Sequence, residues 1–226
     1  MTRLEVLGEL ERDPYGPLAE GGDGGEDLWS LLVAYGRIFW PPDGRSGWFS
    51  GLDAQLRDAS KTDGPLAIVE TAEPAGDALL TSMVFSVQQV LRTCGRAEIV
   101  GLRISTEVLN AEPSWEPRSW IANLAHRTDS ADGVRVSLNC TSPKSPQALP
   151  PVDQLEKRIQ DLLSLGGRDY LCSAEARSPG IDVLVEEMKW TELHGAYLIE
   201  LSLLALYAAG FRGEVTISTQ SADCDL

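Results

Sequence analysis

Apolar side chains in this chain recur at two spacings, and the switch between them outlines most of the elements. Leu28, Leu31, Leu32, Tyr35, Ile38 and Phe39 fall three or four residues apart, the spacing of one helix face. Glu26 and Asp27 open that run and suit the positive end of a helix dipole, and Trp40-Pro41-Pro42 ends it, because proline removes a donor and clashes with the preceding turn. A short amphipathic piece carries Leu52, Leu56 and Ala59. The compact run Leu66 to Val69 after Gly64-Pro65 predicts a buried strand ending at Glu70. Asp77 then caps a helix with Leu79, Leu80, Met83, Val84, Val87, Val90, Leu91 and Cys94 on one side, and Gly95 supplies its stop. Ile99 to Ser105 is the returning strand.

Farther along, Val134, Val136 and Leu138 alternate with Arg135 and Ser137, the period of a half-exposed strand. Val152, Leu155, Ile159, Leu162, Leu163 and Leu165 return to helical spacing and stop at Gly166-Gly167. Ile181 to Val185 is a strand, Thr191 caps a helix from Glu192 that ends at Gly210, and Glu214 to Ser218 is the last strand. These patterns divide the chain into a flexible acidic segment (1–25), a first α/β half (26–141), a proline-rich linker (142–151), a second half (152–219) and a disordered tail (220–226). The glycines of Gly21 to Gly25 and the prolines of the linker motivate the two flexible assignments.

The two halves read alike. Ala67-Ile68-Val69-Glu70, a helix, and Leu102-Arg103-Ile104-Ser105-Thr106 stand against Val183-Leu184-Val185-Glu186, a helix, and Val215-Thr216-Ile217-Ser218-Thr219. The fold class is therefore α/β (or α+β), with two strand–helix–strand units and additional packing helices. Internal duplication and a generic α/β pattern both account for the likeness. If each unit is a right-handed crossover between parallel strands, Glu70, Ser105, Thr106, Glu186, Ser218 and Thr219 all sit at carboxyl ends of strands, where open α/β sheets bind ligands.

Composition then narrows the function classes. Nineteen Lys and Arg against 34 Asp and Glu leave a net charge of −15. Such a surface repels phosphate backbones and anionic membranes and attracts basic proteins. The expected partner is accordingly a basic protein, with neither nucleic acid nor membrane. The four cysteines show no C-x-x-C and no paired histidine, so no metal is expected. Met1-Thr2-Arg3-Leu4-Glu5 has no signal-peptide apolar core, and the apolar stretch Ala196 to Ala209 is short of a membrane span. A cytoplasmic protein is the expectation.

No G-x-S-x-G elbow and no phosphate-binding glycine loop is present, so no cofactor is expected. The first functional reading is a non-catalytic acidic interaction module, an adaptor, inhibitor or immunity-type protein, with the aromatics Trp40, Trp48, Phe49, Trp115 and Trp120 as partner-binding candidates. The alternative is a small-molecule enzyme or binding protein. There Glu70 and Glu186 would act as a carboxylate pair, with Ser105, Thr106, Ser218 and Thr219 contacting the ligand. His126 and His194 have no ligand-spaced neighbours; His194 opens a helix, where the dipole favours its neutral form.

Overall fold

The computed structural model describes residues 1–13, 30–32, 53–56, 64–71, 80–108, 133–140, 148–165 and 170–223. Its strands are β1 (Thr2–Arg12), β2 (Asp53–Leu56), β3 (Ala67–Thr71), β4 (Gly95–Val108), β5 (Val134–Cys140), β6 (Cys172–Arg177), β7 (Gly180–Val185) and β8 (Gly213–Ser221). Its helices are α1 (Leu80–Cys94), α2 (Val152–Leu165) and α3 (Glu192–Ala208), and residues 30–32 are also helical.

All eight strands form one sheet in the order β2-β3-β1-β4-β8-β5-β7-β6, and every hydrogen-bonded pair is antiparallel. Sequence and structure agree on a mixed α/β chain but differ on connection. β3 and β4 do run parallel across α1, yet β1 lies between them; β7 and β8 run parallel across α3 with β5 between. Each connection is a split β-α-β unit rather than a crossover to a neighbouring strand.

The strand that splits the first unit comes from the segment expected to be flexible. Thr2, Leu4 and Val6 are buried towards the helices, while Arg3 and Glu5 alternate with them on the other face. That period of two is the ordinary signature of a half-buried strand, and the register with β4 shifts at a bulge between Leu7 and Gly8. The predicted tail is likewise shorter than expected, since β8 continues through Ser221. Of the predicted linker, residues 148–151 are described, and α2 starts directly after them. Strand β6 has no large apolar side chain to announce it, being Cys-Ser-Ala-Glu-Ala-Arg.

One row of residues crosses the whole sheet on the helix side. Ala54, Val69, Leu4, Ile104, Ile217, Leu138, Ile181 and Ala176 occupy successive strands in register. The six inner members are at most 5% exposed, and burying each Leu, Ile or Val contributes about 1.5–3 kcal/mol. Over this row lies α3. Its sequence is apolar on every side, the mark of a helix with no solvent face, and it packs against α1, α2, β4 and β8. Thr191 caps it by accepting from the His194 N–H, as the sequence predicts, and Gly210 takes the left-handed conformation (φ 83°) just past its end.

The outer edge at β6 is closed by side chains. Gln160 of α2 accepts from the Cys172 N–H (3.0 Å) and donates to the Tyr170 carbonyl (2.6 Å), and Glu156 accepts from the Ala174 N–H (2.8 Å). These backbone groups would otherwise offer a template for strand addition. The double variant Glu156→Ala/Gln160→Ala is expected to convert the chain into a concentration-dependent oligomer, visible by light scattering, while Glu156→Ala/Lys157→Ala leaves Gln160 in place and shows less.

Candidate functional site

The side of the sheet facing away from α1, α2 and α3 is polar. Successive strands place Ile68, Glu5, Arg103, Ser218, Ser137, Asp182 and Glu175 in one row. The row on one side holds Glu70, Arg3, Ser105, Thr216, Asn139, Gly180 and Arg177, and that on the other holds Leu7, Gly101, Gln220, Arg135, Leu184 and Ser173. Long charged side chains alternate here with short hydroxyls, so the surface has relief.

Over the first half the relief is filled. Arg3 bridges two carboxylates, donating from Nε to Glu5 (2.9 Å) and from Nη1 to Glu70 (3.0 Å), and Arg103 reaches Glu5 from the other side (3.3 Å). Over the second half the surface sinks into a basin of about 460 Å³. Ser218 and Ser137, opposite one another on β8 and β5, lie among its lining residues with Arg103, Arg135, Arg177 and Asp182. Arg177 is held by Asp182 (2.9 Å), and Arg135 donates to the Ala222 carbonyl (3.3 Å).

The expected ligand residues divide between the two faces. Ser105 and Ser218 are on the polar face, where Ser105 shares a hydrogen bond with Thr216 (2.9 Å) and Ser218 lines the basin. Thr106 and Thr219 turn towards the helices and are buried. Thr106 shares a hydrogen bond with Thr2 (2.9 Å), and Thr219 lies against Gly195, where an added Cβ would meet both its hydroxyl and the Trp190 ring.

Glu70 and Glu186 are not brought together. Five strand steps separate β3 from β7, about 24 Å at the usual spacing. The two strands run in opposite directions, which sets their carboxyl ends farther apart still. Glu186 is exposed in the turn after β7, its N–H donating to the Leu171 carbonyl (2.9 Å). The register puts Asp182, not Glu186, at the place on β7 that corresponds to Glu70 on β3. The aromatic candidates Trp40, Trp48, Phe49, Trp115 and Trp120, and His126, lie outside the described residues.

Inside the fold the titratable groups serve structure. Tyr197, 1% exposed, is pushed up to about 12, first by burial and then by the nearby Glu200 carboxylate and Tyr170. Burial and Glu156 push the Cys172 thiol up to about 11, and burial raises Cys140 as well. Thiols shifted in that direction are poor nucleophiles at neutral pH. His194 is buried, with Nδ1 2.8 Å from the Thr191 hydroxyl. Among the described residues no group of three His, Cys, Asp or Glu is placed to hold a metal ion, and no helix is long and apolar enough to cross a membrane.

Comparison adds no identity to this geometry. No family model, curated protein or solved structure matches the chain. Of the basin's lining only Ser218 was among the sequence-based candidates; Arg103, Arg135, Ser137, Arg177, Asp182 and Gln220 were not. Their signal in the sequence is the polar half of each alternating strand, such as Arg135 and Ser137 between Val134, Val136 and Leu138.

Proposed function

We propose that this chain is a non-catalytic binding module that engages a basic protein. The observation carrying this reading is a like-charge pair that the fold itself does not require. Beyond the bulge, β1 and β4 continue as a two-stranded ribbon past their neighbours β3 and β8, and there exposed Glu9 pairs in register with exposed Glu98. Like charges directly opposite on adjacent strands are destabilising. Glu11 follows on the same face of β1, in a chain whose net charge is −15. A basic partner would relieve that repulsion, and the long-range field would speed its approach.

The test uses Glu9→Gln/Glu98→Gln. The variant is expected to be slightly more stable than wild type, by about 0.5 kcal/mol from the relieved cross-strand repulsion, measured by urea unfolding. It is also expected to recover less of any partner captured from native lysate, with wild-type capture declining as salt rises. Capture that is indifferent to salt and to these two substitutions would remove the reading.

We also infer that the two halves are copies of one β-α-β-β-α-β unit. Each half, read from its outer edge, runs second strand, third, first, fourth. The helix-side row supports the inference because it reads nearly the same from either end, from Ala54, Val69, Leu4 and Ile104 to Ile217, Leu138, Ile181 and Ala176. At the central seam Ile104 faces Ile217, Leu102 faces Thr219 and Thr106 faces Val215, which is the register two aligned copies need about a twofold axis. An isolated second half would then expose the seam edge of β8, and sedimentation should find it as a self-paired dimer rather than a monomer.

A further inference from the structure

We infer that the basin between β4, β8, β5 and β7 is a binding site for a small oxyanion-bearing molecule, a phosphate ester or a polycarboxylate. This inference is independent of the acidic ribbon and of any basic partner, since it rests on other residues on another part of the sheet.

Three features of the basin carry it. The first is its charge. Three guanidinium groups line it against two carboxylates, Asp182 in the lining and Glu5 on Arg103, which leaves a local positive excess in a chain that carries fifteen net negative charges. An arginine-rich hollow on such a protein concentrates small anions locally, against the field of the whole molecule. The second is its preparation. Asp182 holds Arg177 and Glu5 holds Arg103, in each case through Nη1. A guanidinium carries five N–H donors in a rigid planar fork, and a carboxylate partner fixes the plane of each group, the geometry with which arginine recognises carboxylate or phosphate oxygens. Ser137, Ser218, Asn139 and Gln220 add hydroxyl and amide donors, and the volume lies in the range of small-ligand pockets.

The third feature is the contrast between the halves. On β1, the place that corresponds to Ser137 on β5 is occupied by Arg3, because Leu4 and Leu138 hold matching positions opposite Ile104 and Ile217. The Arg3 side chain lies across the first half and ties Glu5 to Glu70. A serine at the same place in the second half leaves the hollow open. The cavity therefore exists because one small residue stands where its counterpart is large.

That contrast supplies the decisive variant. Ser137→Arg adds a positive charge and fills the hollow. General electrostatic attraction predicts tighter anion binding in this variant, whereas a shaped site predicts loss. Full-length protein would be titrated calorimetrically with inorganic phosphate and with citrate, at ionic strength held constant with sodium chloride. Saturable binding of at least one probe is expected. Arg103→Gln and Arg177→Gln, both at exposed side chains, should each weaken it at least tenfold, the usual scale for losing a charge-assisted hydrogen bond. Ser137→Arg should abolish it, with Ser137→Ala staying within a few-fold of wild type. Binding of phosphate alone assigns a phosphate ester, and binding of citrate alone a polycarboxylate. No saturable heat with either probe overturns the inference, and so does wild-type or tighter binding by Ser137→Arg. Misfolding of Ser137→Arg, seen in its near-ultraviolet dichroism, leaves the decision to Arg103→Gln and Arg177→Gln, whose unchanged affinity would also overturn it.

Discussion

Replacing Glu200 by alanine is expected to lower the unfolding free energy by about 3 kcal/mol, within the range for breaking a buried charged interaction. Glu200 is 1% exposed in the middle of α3, and its Oε1 accepts the Thr81 backbone N–H at 2.8 Å. Thr81 is the second residue of α1, so the carboxylate meets the positive end of that helix. Alanine would leave a buried donor without its acceptor and open a cavity beneath α1. At about 2–4 °C per kcal/mol for a chain of this length, the melting temperature should fall by roughly 6–12 °C. Glu200→Gln keeps the shape and the acceptor but not the charge, and should cost less. It also removes one of the causes that raise Tyr197, so the tyrosine should ionise at lower pH in a spectrophotometric titration. A melting temperature within 2 °C of wild type for the alanine variant would show that this contact does not hold α1 to α3.

The second large effect is expected at Gly8. Its φ of 153° belongs to the region that side chains avoid, and an added Cβ would fall on the Glu98 carbonyl oxygen. Because that neighbour is backbone, relief requires β1 and β4 to separate at the bulge. Gly8→Ala should cost about 3 kcal/mol, combining overpacking with left-handed strain. Gly210→Ala is the control. There φ is 83°, but no atom lies within 4 Å of the added Cβ, so only the strain of about 1–2 kcal/mol remains. Equal losses at the two sites in urea unfolding would refute the steric account of the bulge.

Helices and buried strands were legible because their apolar periods are regular. The pattern predicts α3 with its Thr191 cap and Gly210 stop, and α1 with its end at Gly95, close to where they lie. β1 was harder to see because an apolar residue, Leu7, stands on its polar face in line with Arg3 and Glu5 and blurs the alternation. Order along the chain does not reveal which strand lies between two others, and that is why the split units read as simple crossovers. The sequence alignment of the halves matches the seam register at Ile104 and Ile217 but is four residues out on β3 and β7, setting Glu70 beside Glu186, whereas counting outward from the seam reaches Glu70 on one side and Asp182 on the other. A four-residue offset preserves the apolar pattern of a strand, so periodicity alone cannot detect it. The basin was illegible for a related reason. Its arginines and serines come from four strands and the turn between β6 and β7, and only the register gathers them.

The position of β1 also bears on how the chain is made. It leaves the ribosome before both of its partners, β3 and β4, and β4 begins about 80 residues after β1 ends. At 5–20 residues per second, synthesis leaves that strand without its second neighbour for roughly 4–16 s. During this interval Leu4, Val6 and Leu10 are exposed to other nascent chains, and the intervening Glu5, Glu9 and Glu11 are the gatekeeping charges that keep such a segment from aggregating. Acidity along this strand is thus matched to the newborn chain, apart from the binding proposed for the folded one.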